Sequence, residues 1–431
     1  MKKVLRMNKK YFYVLFTFAI INFSYENLFS SVLNDSVKST SGADAKGAFY
    51  TGKYQNLFKG LLKKSESEIK SKVDAAFQQL FYGKDDSQRI YYLVGNDMAY
   101  IEDINNHDVR TEGMSYGMMI SVQLDKKVEF DKIWKWVVNY MQHKSGQRKD
   151  YFAWHCRTNG EIIDSCTASD GEEWFVTSLF FAAGRWGNGK GIYNYKEEAQ
   201  KILDAMLGKT ELSDDKNVVT NVFNKKNKQI VFVPSGEADD FTDPSYHLPH
   251  FYEIWAMCAD KENKFWREVA DTSRIFLSRA VNSITGLAPD YAHFDGTPCN
   301  FWGSGNDNFR FDAWRVAMNV SIDYSWFAKD EWEVTQSNRL LNFFYSKGIK
   351  TYSSVFTLDG KKALVAEHST GLVTANAVAA LTSTNENRKE FIEQLWDAKI
   401  PTGHYRYYDG VLYMLGMLQT SGNFRIYNIS K

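Results

Sequence analysis

Trp174-Phe-Val-Thr-Ser-Leu-Phe-Phe-Ala-Ala-Gly184 carries small or apolar side chains on every face that a helix would present. A helix of that kind is stable only when buried on all sides. Working outward from it, apolar residues recur at helical spacing in twelve segments, near 66–80, 113–124, 128–143, 171–185, 194–207, 246–259, 262–281, 311–327, 330–347, 370–382, 388–397 and 409–420. The even-numbered segments resemble the quoted one. Those between them, such as Arg388 to Trp396, have one charged face. An inner ring of six helices inside an outer ring of six produces this alternation. The reading is therefore all-α, an (α/α)6 barrel over residues 66–431. No recurring repeat signature supports an open array of helical hairpins. Strand-like runs are short, at Ile90–Val94 and Gln229–Val233, and read as loop hairpins. Ser65 with Glu68, Thr111, Asp170, Ser245 and Asp409 are expected to cap helix starts.

The chain has 431 residues, enough for a large core, with 24% charged residues and Lys plus Arg equal to Asp plus Glu at 52 each. No broad field attracts nucleic acid or an anionic membrane. The 67 Phe, Trp and Tyr residues, against six Pro, suit either a rich core or a site where flat rings meet flat ligands.

The first 30 residues differ. Lys2, Lys3, Arg6, Lys9 and Lys10 precede an apolar run from Tyr11 to Phe23, too short to span a bilayer comfortably. This pattern predicts a signal peptide and export to the periplasm or medium, the alternative being an uncleaved anchor. Residues 31–65 then form an amino-terminal extension. Cys156 and Cys166 bracket a short polar segment and fit either a disulfide or two buried thiols. The eight histidines are scattered and no ligand spacing for zinc occurs, so neither metal nor cofactor is expected.

If the even helices form the inner ring, their starts converge at one end, and unusual polar residues sit there. Glu112 precedes the second helix, Asp170 opens the fourth, Asp243 and Tyr246 the sixth, and Asp312 the eighth. His368 precedes the tenth, and Arg406, Tyr407 and Tyr408 the twelfth. Asp170 and Asp312 also fit simple N-caps, and Arg315 fits an i,i+3 partner of Asp312. Glu112 resists a bland reading, because Gly113 and Gly117 beside it each cost a helix about 1 kcal/mol relative to Ala. Gly113-Met-Ser-Tyr-Gly117 also matches the G-x-S-x-G elbow of serine hydrolases. That motif needs a buried strand before it, and the polar run from Asn105 lacks one.

Asp108-Val-Arg-Thr-Glu-Gly-Met-Ser-Tyr-Gly-Met118, Ala168-Ser-Asp-Gly-Glu-Glu-Trp-Phe175, Asp243-Pro-Ser-Tyr-His-Leu-Pro249, Phe311-Asp-Ala-Trp-Arg-Val316 and Tyr405-Arg-Tyr-Tyr-Asp-Gly410 together resemble glycoside hydrolase family 8, most of all its xylan-active branch. The resemblance covers the chain from about residue 85 onward. It implies an (α/α)6 barrel that cuts β-1,4 linkages with inversion. It implies Glu112 as general acid and Asp312 as general base. Tyr246 would help hold the attacking water, Asp170 would bind and distort the central sugar, and Arg315 would steady the base. Trp154, Phe311, Tyr407 and Tyr408 would be stacking platforms. His368 either contacts the reducing-end sugar or caps the next helix, within a segment, Thr351 to Ser369, expected to separate exo from endo action. The expected partner is xylan or a xylooligosaccharide, and the expected oligomeric state is a monomer. The same scaffold acting on cellulose, mixed-linkage glucan or chitosan is the nearest alternative. A non-catalytic glycan-binding protein is another, disfavoured because both carboxylates are present. Glu112 must stay protonated near neutrality, which burial and Asp170 favour and a helix N-terminus opposes.

Overall fold

A computed structural model describes residues 47–211, 215, 217–236 and 238–427. The expected signal peptide lies outside the described residues. All twelve predicted helices are present: α1 (Glu66–Tyr82), α2 (Thr111–Gln123), α3 (Lys127–Trp136), α4 (Ser169–Trp186), α5 (Tyr195–Leu207), α6 (Pro249–Cys258), α7 (Asn263–Ala280), α8 (Trp314–Phe327), α9 (Trp332–Ser346), α10 (Thr370–Ala379), α11 (Arg388–Asp397) and α12 (Tyr408–Thr420). A π-helical turn, Val137–Met141, extends α3. Two short helices, Ala48–Thr51 and Leu57–Leu62, precede α1 and pack against α8 and α11 respectively.

The even helices pack in sequence, α2 on α4, α4 on α6, α6 on α8, α8 on α10 and α10 on α12, and α12 returns to α2 and closes the ring. α3, α5, α7, α9 and α11 each pack outside the even helix that precedes them, and α1 packs outside α12. This is the (α/α)6 barrel. Burial follows the sequence pattern: Gly113 through Gln123 of α2 are all buried, whereas α11 buries only Phe391, Ile392 and Leu395. The two glycines beside Glu112 admit close neighbours. A Cβ on Gly113 would meet the Tyr407 ring at 2.6 Å, and one on Gly117 would meet Ile101 at 2.8 Å. Both repay their helical cost by letting neighbouring elements touch the backbone.

The loops carry short antiparallel pairs: β1 (Tyr91–Val94) with β2 (Met98–Ile101), β3 (Asp108–Arg110) with β4 (His155–Arg157), and β4 with β5 (Ile162–Asp164). Further on, β6 (Phe223–Asn224) pairs with β7 (Gln229–Ile230), and β8 (Phe241–Thr242) with β9 (Ala292–His293). β3 runs directly into α2, and its pairing with β4 fixes Trp154 beside the start of that helix: the Thr111 amide donates to the Trp154 carbonyl at 3.0 Å. Cys156 and Cys166 are free thiols, the first buried and the second half-buried.

Candidate active site

Only Ser65 of the five expected caps behaves as a cap of its own helix, in a full capping box with Glu68. The other starts on the inner ring spend their polar side chains elsewhere. α2 and α4 begin without a side-chain cap. Asp409 reaches across to the Ser369 hydroxyl and the Gly371 amide, and so caps α10 from α12. Ser369, not His368, is the N-cap of α10. The starts of α2, α4, α8 and α12, together with the turns before α6 and α10, surround a cavity of about 900 Å³.

Arg315 organises its floor. Nη1 donates to Glu112 Oε2 at 3.0 Å, to the Tyr116 hydroxyl at 2.6 Å and to Asp170 Oδ2 at 3.1 Å. Nη2 donates to Ser245 Oγ at 2.9 Å and pairs with Asp312 Oδ1 at 3.0 Å. One guanidinium thus joins α2, α4, the turn before α6 and α8. The expected i,i+3 pair with Asp312 exists but is one of five contacts. Because Nη1 and Nη2 lie on one planar fork, the nearest oxygens of Glu112 and Asp312 are no more than about 8 Å apart. Tyr407 donates to the other Glu112 oxygen at 2.9 Å, and the Tyr408 hydroxyl reaches Asp312 Oδ1 at 3.3 Å.

Burial dominates the electrostatics. It pushes the Glu112 carboxyl up to about 7; Arg315 opposes the rise, and Asp312 and Asp170 add to it. Asp170 also rises through burial. Behind Asp312 lie two more buried carboxyls. Asp290 is pushed to about 7 by burial and then by Asp312, and Asp243 stands well above the usual carboxyl range for the same two reasons. Asp243 Oδ1 accepts from the Ser245 amide at 2.7 Å and so fixes the 3-10 turn Pro244–Tyr246, which presents Ser245 to Arg315.

The cavity brings together Glu112, Asp170, Tyr246, Asp312, Arg315, Trp154, Phe311, Tyr407 and Tyr408. Trp154 is half-buried, with the Arg110 guanidinium 5.7 Å from its ring centre. Phe311 is 45% exposed and has φ of +30°, a strained value for a bulky residue, immediately before Asp312. Two expectations change. Tyr407 is buried with its hydroxyl on Glu112, so it serves the carboxyl and offers no open face for stacking. His368 does not line the cavity: its Nδ1–H donates to the Tyr352 carbonyl at 2.8 Å and its ring packs edge-on against Tyr352, while Glu367 and Ser369 face the cavity. Arg406 is likewise turned away, holding the carbonyls of Asp85, Arg89 and Gly403. Ser115 of the G-x-S-x-G match is buried and donates to the Glu112 carbonyl.

Sequence reasoning missed Tyr116, Ser245 as an arginine partner, Asp290, and an aromatic wall of Phe232, Tyr291, Phe301 and Trp302. Tyr246 stacks on Phe232, and Trp302, 54% exposed, stands edge-on to Phe232 and Tyr291. Adjacent aromatics ahead of Gly303-Ser-Gly305 were the available signal, since an apolar pair in a glycine-rich loop has no core to enter. Among the described residues no cluster of three or more His, Cys, Asp or Glu side chains is arranged to hold a metal ion.

Residues 97–422 match the profile described as glycosyl hydrolases family 8. The reducing-end xylose-releasing exo-oligoxylanase Rex8A of Paenibacillus barcinonensis is 44% identical over 385 residues, 89% of this chain and 99% of that protein. Its structure complexed with xylose has a TM-score of 0.84 to this one, covering 89% of this chain and 100% of Rex8A. A xylanase of Teredinibacter turnerae, solved as a catalytic mutant with xylohexaose, is 45% identical with a TM-score of 0.84, covering 88% and 99% of the two chains. A closed double ring of helices, an acid and a second carboxyl held on one arginine, and a profile match over most of the chain agree: the chain belongs to glycosyl hydrolase family 8.

Proposed function

We propose that this enzyme hydrolyses β-1,4-xylosidic bonds of xylooligosaccharides by single displacement with inversion, releasing xylose from the reducing end. The observation that carries the chemistry is the Arg315 fork, with a protonatable Glu112 on one arm and Asp312 on the other. An inverting pair needs about 6.5–9.5 Å between its carboxyls, room for one water, and the fork's upper limit of about 8 Å admits that span. Glu112, raised to about 7, enters the reaction protonated and gives its proton to the leaving glycosidic oxygen. Asp312 takes a proton from water attacking the opposite face of the sugar. In this reading Asp170, on the same arginine arm as Glu112, binds the central sugar, and Tyr246 helps hold the water. Trp154, Phe311 and Trp302 offer faces for pyranose rings.

The xylose-releasing action is supported by the likeness to Rex8A along nearly its whole length. Export is part of the same reading, supported by the charged and then apolar residues 2–23. The test is anomer-resolved NMR of xylohexaose hydrolysis. Stepwise xylose from the reducing end, with the new end formed as the α-anomer, is expected. First products spread over xylobiose, xylotriose and xylotetraose would replace the exo reading by an endo one. A β-anomer would overturn the inverting roles of Glu112 and Asp312.

A further inference from the structure

Arg315 has five N–H donors, and its two terminal nitrogens are fully engaged by the site. Nε is buried and has no hydrogen-bond partner among the described residues. Deeper in the barrel, on the last turn of α12, Gln419 is buried at 5% exposure, and its Oε1 also lacks a partner there. Both residues line the same small cavity of about 10 Å³, together with Tyr116, Ser245 and Asn319 and the apolar Leu412. That volume is about the least that holds one water molecule, and a buried water typically uses two to four polar partners. The cavity supplies a donor without an acceptor and an acceptor without a donor. Ser245 is tied into the same corner, since its hydroxyl accepts from Arg315 Nη2 and its carbonyl accepts from Asn319 Nδ2 at 2.7 Å.

We propose that Gln419 is a positioning residue for catalysis, acting through one structural water in this cavity that accepts from Arg315 Nε–H and donates to Gln419 Oε1. The water fixes the guanidinium from below, so the planar fork cannot swing about its Cδ–Nε bond and release one carboxyl. Arg315 is the group that spans acid and base, so a bond on Nε sets the geometry of both. The proposal rests on the roles given above to Glu112, Asp312 and Arg315. It adds a residue about three turns of α12 beyond Asp409, which lines the substrate cavity.

Two measurements test it separately from the activity itself. The first is a crystal structure of the unliganded wild type at a resolution that shows ordered water. A solvent peak within hydrogen-bonding distance of both Arg315 Nε and Gln419 Oε1 is expected; an empty cavity overturns the proposal even if the enzyme is a xylosidic hydrolase. The second is Gln419→Met, which keeps the bulk and removes the acceptor, compared with Gln419→Glu, which keeps an oxygen there. Gln419→Met is expected to lower kcat on xylotriose at least about tenfold with KM little changed, since small displacements of reacting groups are costly. The basic limb of its pH–rate profile is expected to move upward, because an arginine free to recede lowers the Glu112 carboxyl less. Gln419→Glu is expected to keep most of kcat. A Gln419→Met enzyme with wild-type kcat and pH profile refutes the positioning role. Should Gln419→Met fail to fold, the wild-type density and the Gln419→Glu rate decide.

Discussion

Replacing Glu112 by Gln tests the acid through its titration as well as through its rate. Burial raises the carboxyl from the ordinary 4.5 to about 7. At 1.36 kcal/mol per pH unit this is about 3 kcal/mol of preference for the protonated form in the folded protein. The sign follows from linkage: a folded value above the unfolded one gives stability that is complete below pH 4.5 and is lost as pH rises through about 7. Wild type should therefore lose up to about 3 kcal/mol between those limits that Glu112→Gln does not lose. In kinetics, kcat/KM on xylotriose should fall about tenfold per pH unit above 7, where Glu112 has lost the proton it must donate. Glu112→Gln should cost 10²–10⁴-fold in kcat on xylotriose. It should cost little on 2,4-dinitrophenyl β-xylobioside, whose phenolate leaves without a proton. A wild-type basic limb near 4.5, a variant that keeps a limb near 7, or equal losses on both substrates would each refute Glu112 as the acid.

Asp312→Asn should abolish turnover of xylotriose and of the dinitrophenyl xyloside alike, because both need an activated water; retained activity on either would exclude it as the base. Trp302→Ala should raise KM for xylohexaose about fivefold with kcat nearly unchanged, the loss of one stacking face of about 1 kcal/mol, read from initial rates. Gly416→Ala would set a Cβ 2.1 Å from Thr374 Cγ2, where α12 meets α10. It should destabilise the fold by about 2 kcal/mol, measured by denaturant unfolding, and leave the pH–rate profile in place.

Helix existence and ring membership were legible because burial on all faces is a property of composition along one segment, as in Trp174–Gly184. The carboxyls proposed to act, Glu112 and Asp312, were legible as cavity residues because a polar residue at the start of an apolar helix is conspicuous. Their partnerships were not. Arg315 looks like a neighbour of Asp312 in sequence, and nothing local reveals that it also holds Glu112, 203 positions away. Tyr116 sits in an apolar helix where an aromatic reads as core, yet its hydroxyl is an arginine acceptor. Asp290, Tyr291 and Trp302 lie in the long connection between α7 and α8, which has no periodicity to read. Tyr407 was misread for a related reason: aromatic identity suggests stacking, and only its depth beside Gly113 shows that the hydroxyl is the working end.

The pairing of α12 with α2 also has a consequence in time. Glu112, Asp170 and Asp312 are all synthesised before α12, but Tyr407 and Tyr408, whose hydroxyls meet Glu112 and Asp312, arrive with it. Without α12 the ring would be an open crescent with the Glu112 flank uncovered. Burial is the main cause of the raised Glu112 carboxyl, and part of that cover comes from Tyr407 at the start of α12. Ring closure is a contact between segments nearly 300 residues apart; such contacts form late because loop entropy must be overcome first. A chain cut short before Tyr407 would carry both carboxyls and lack the hydroxyl that meets Glu112.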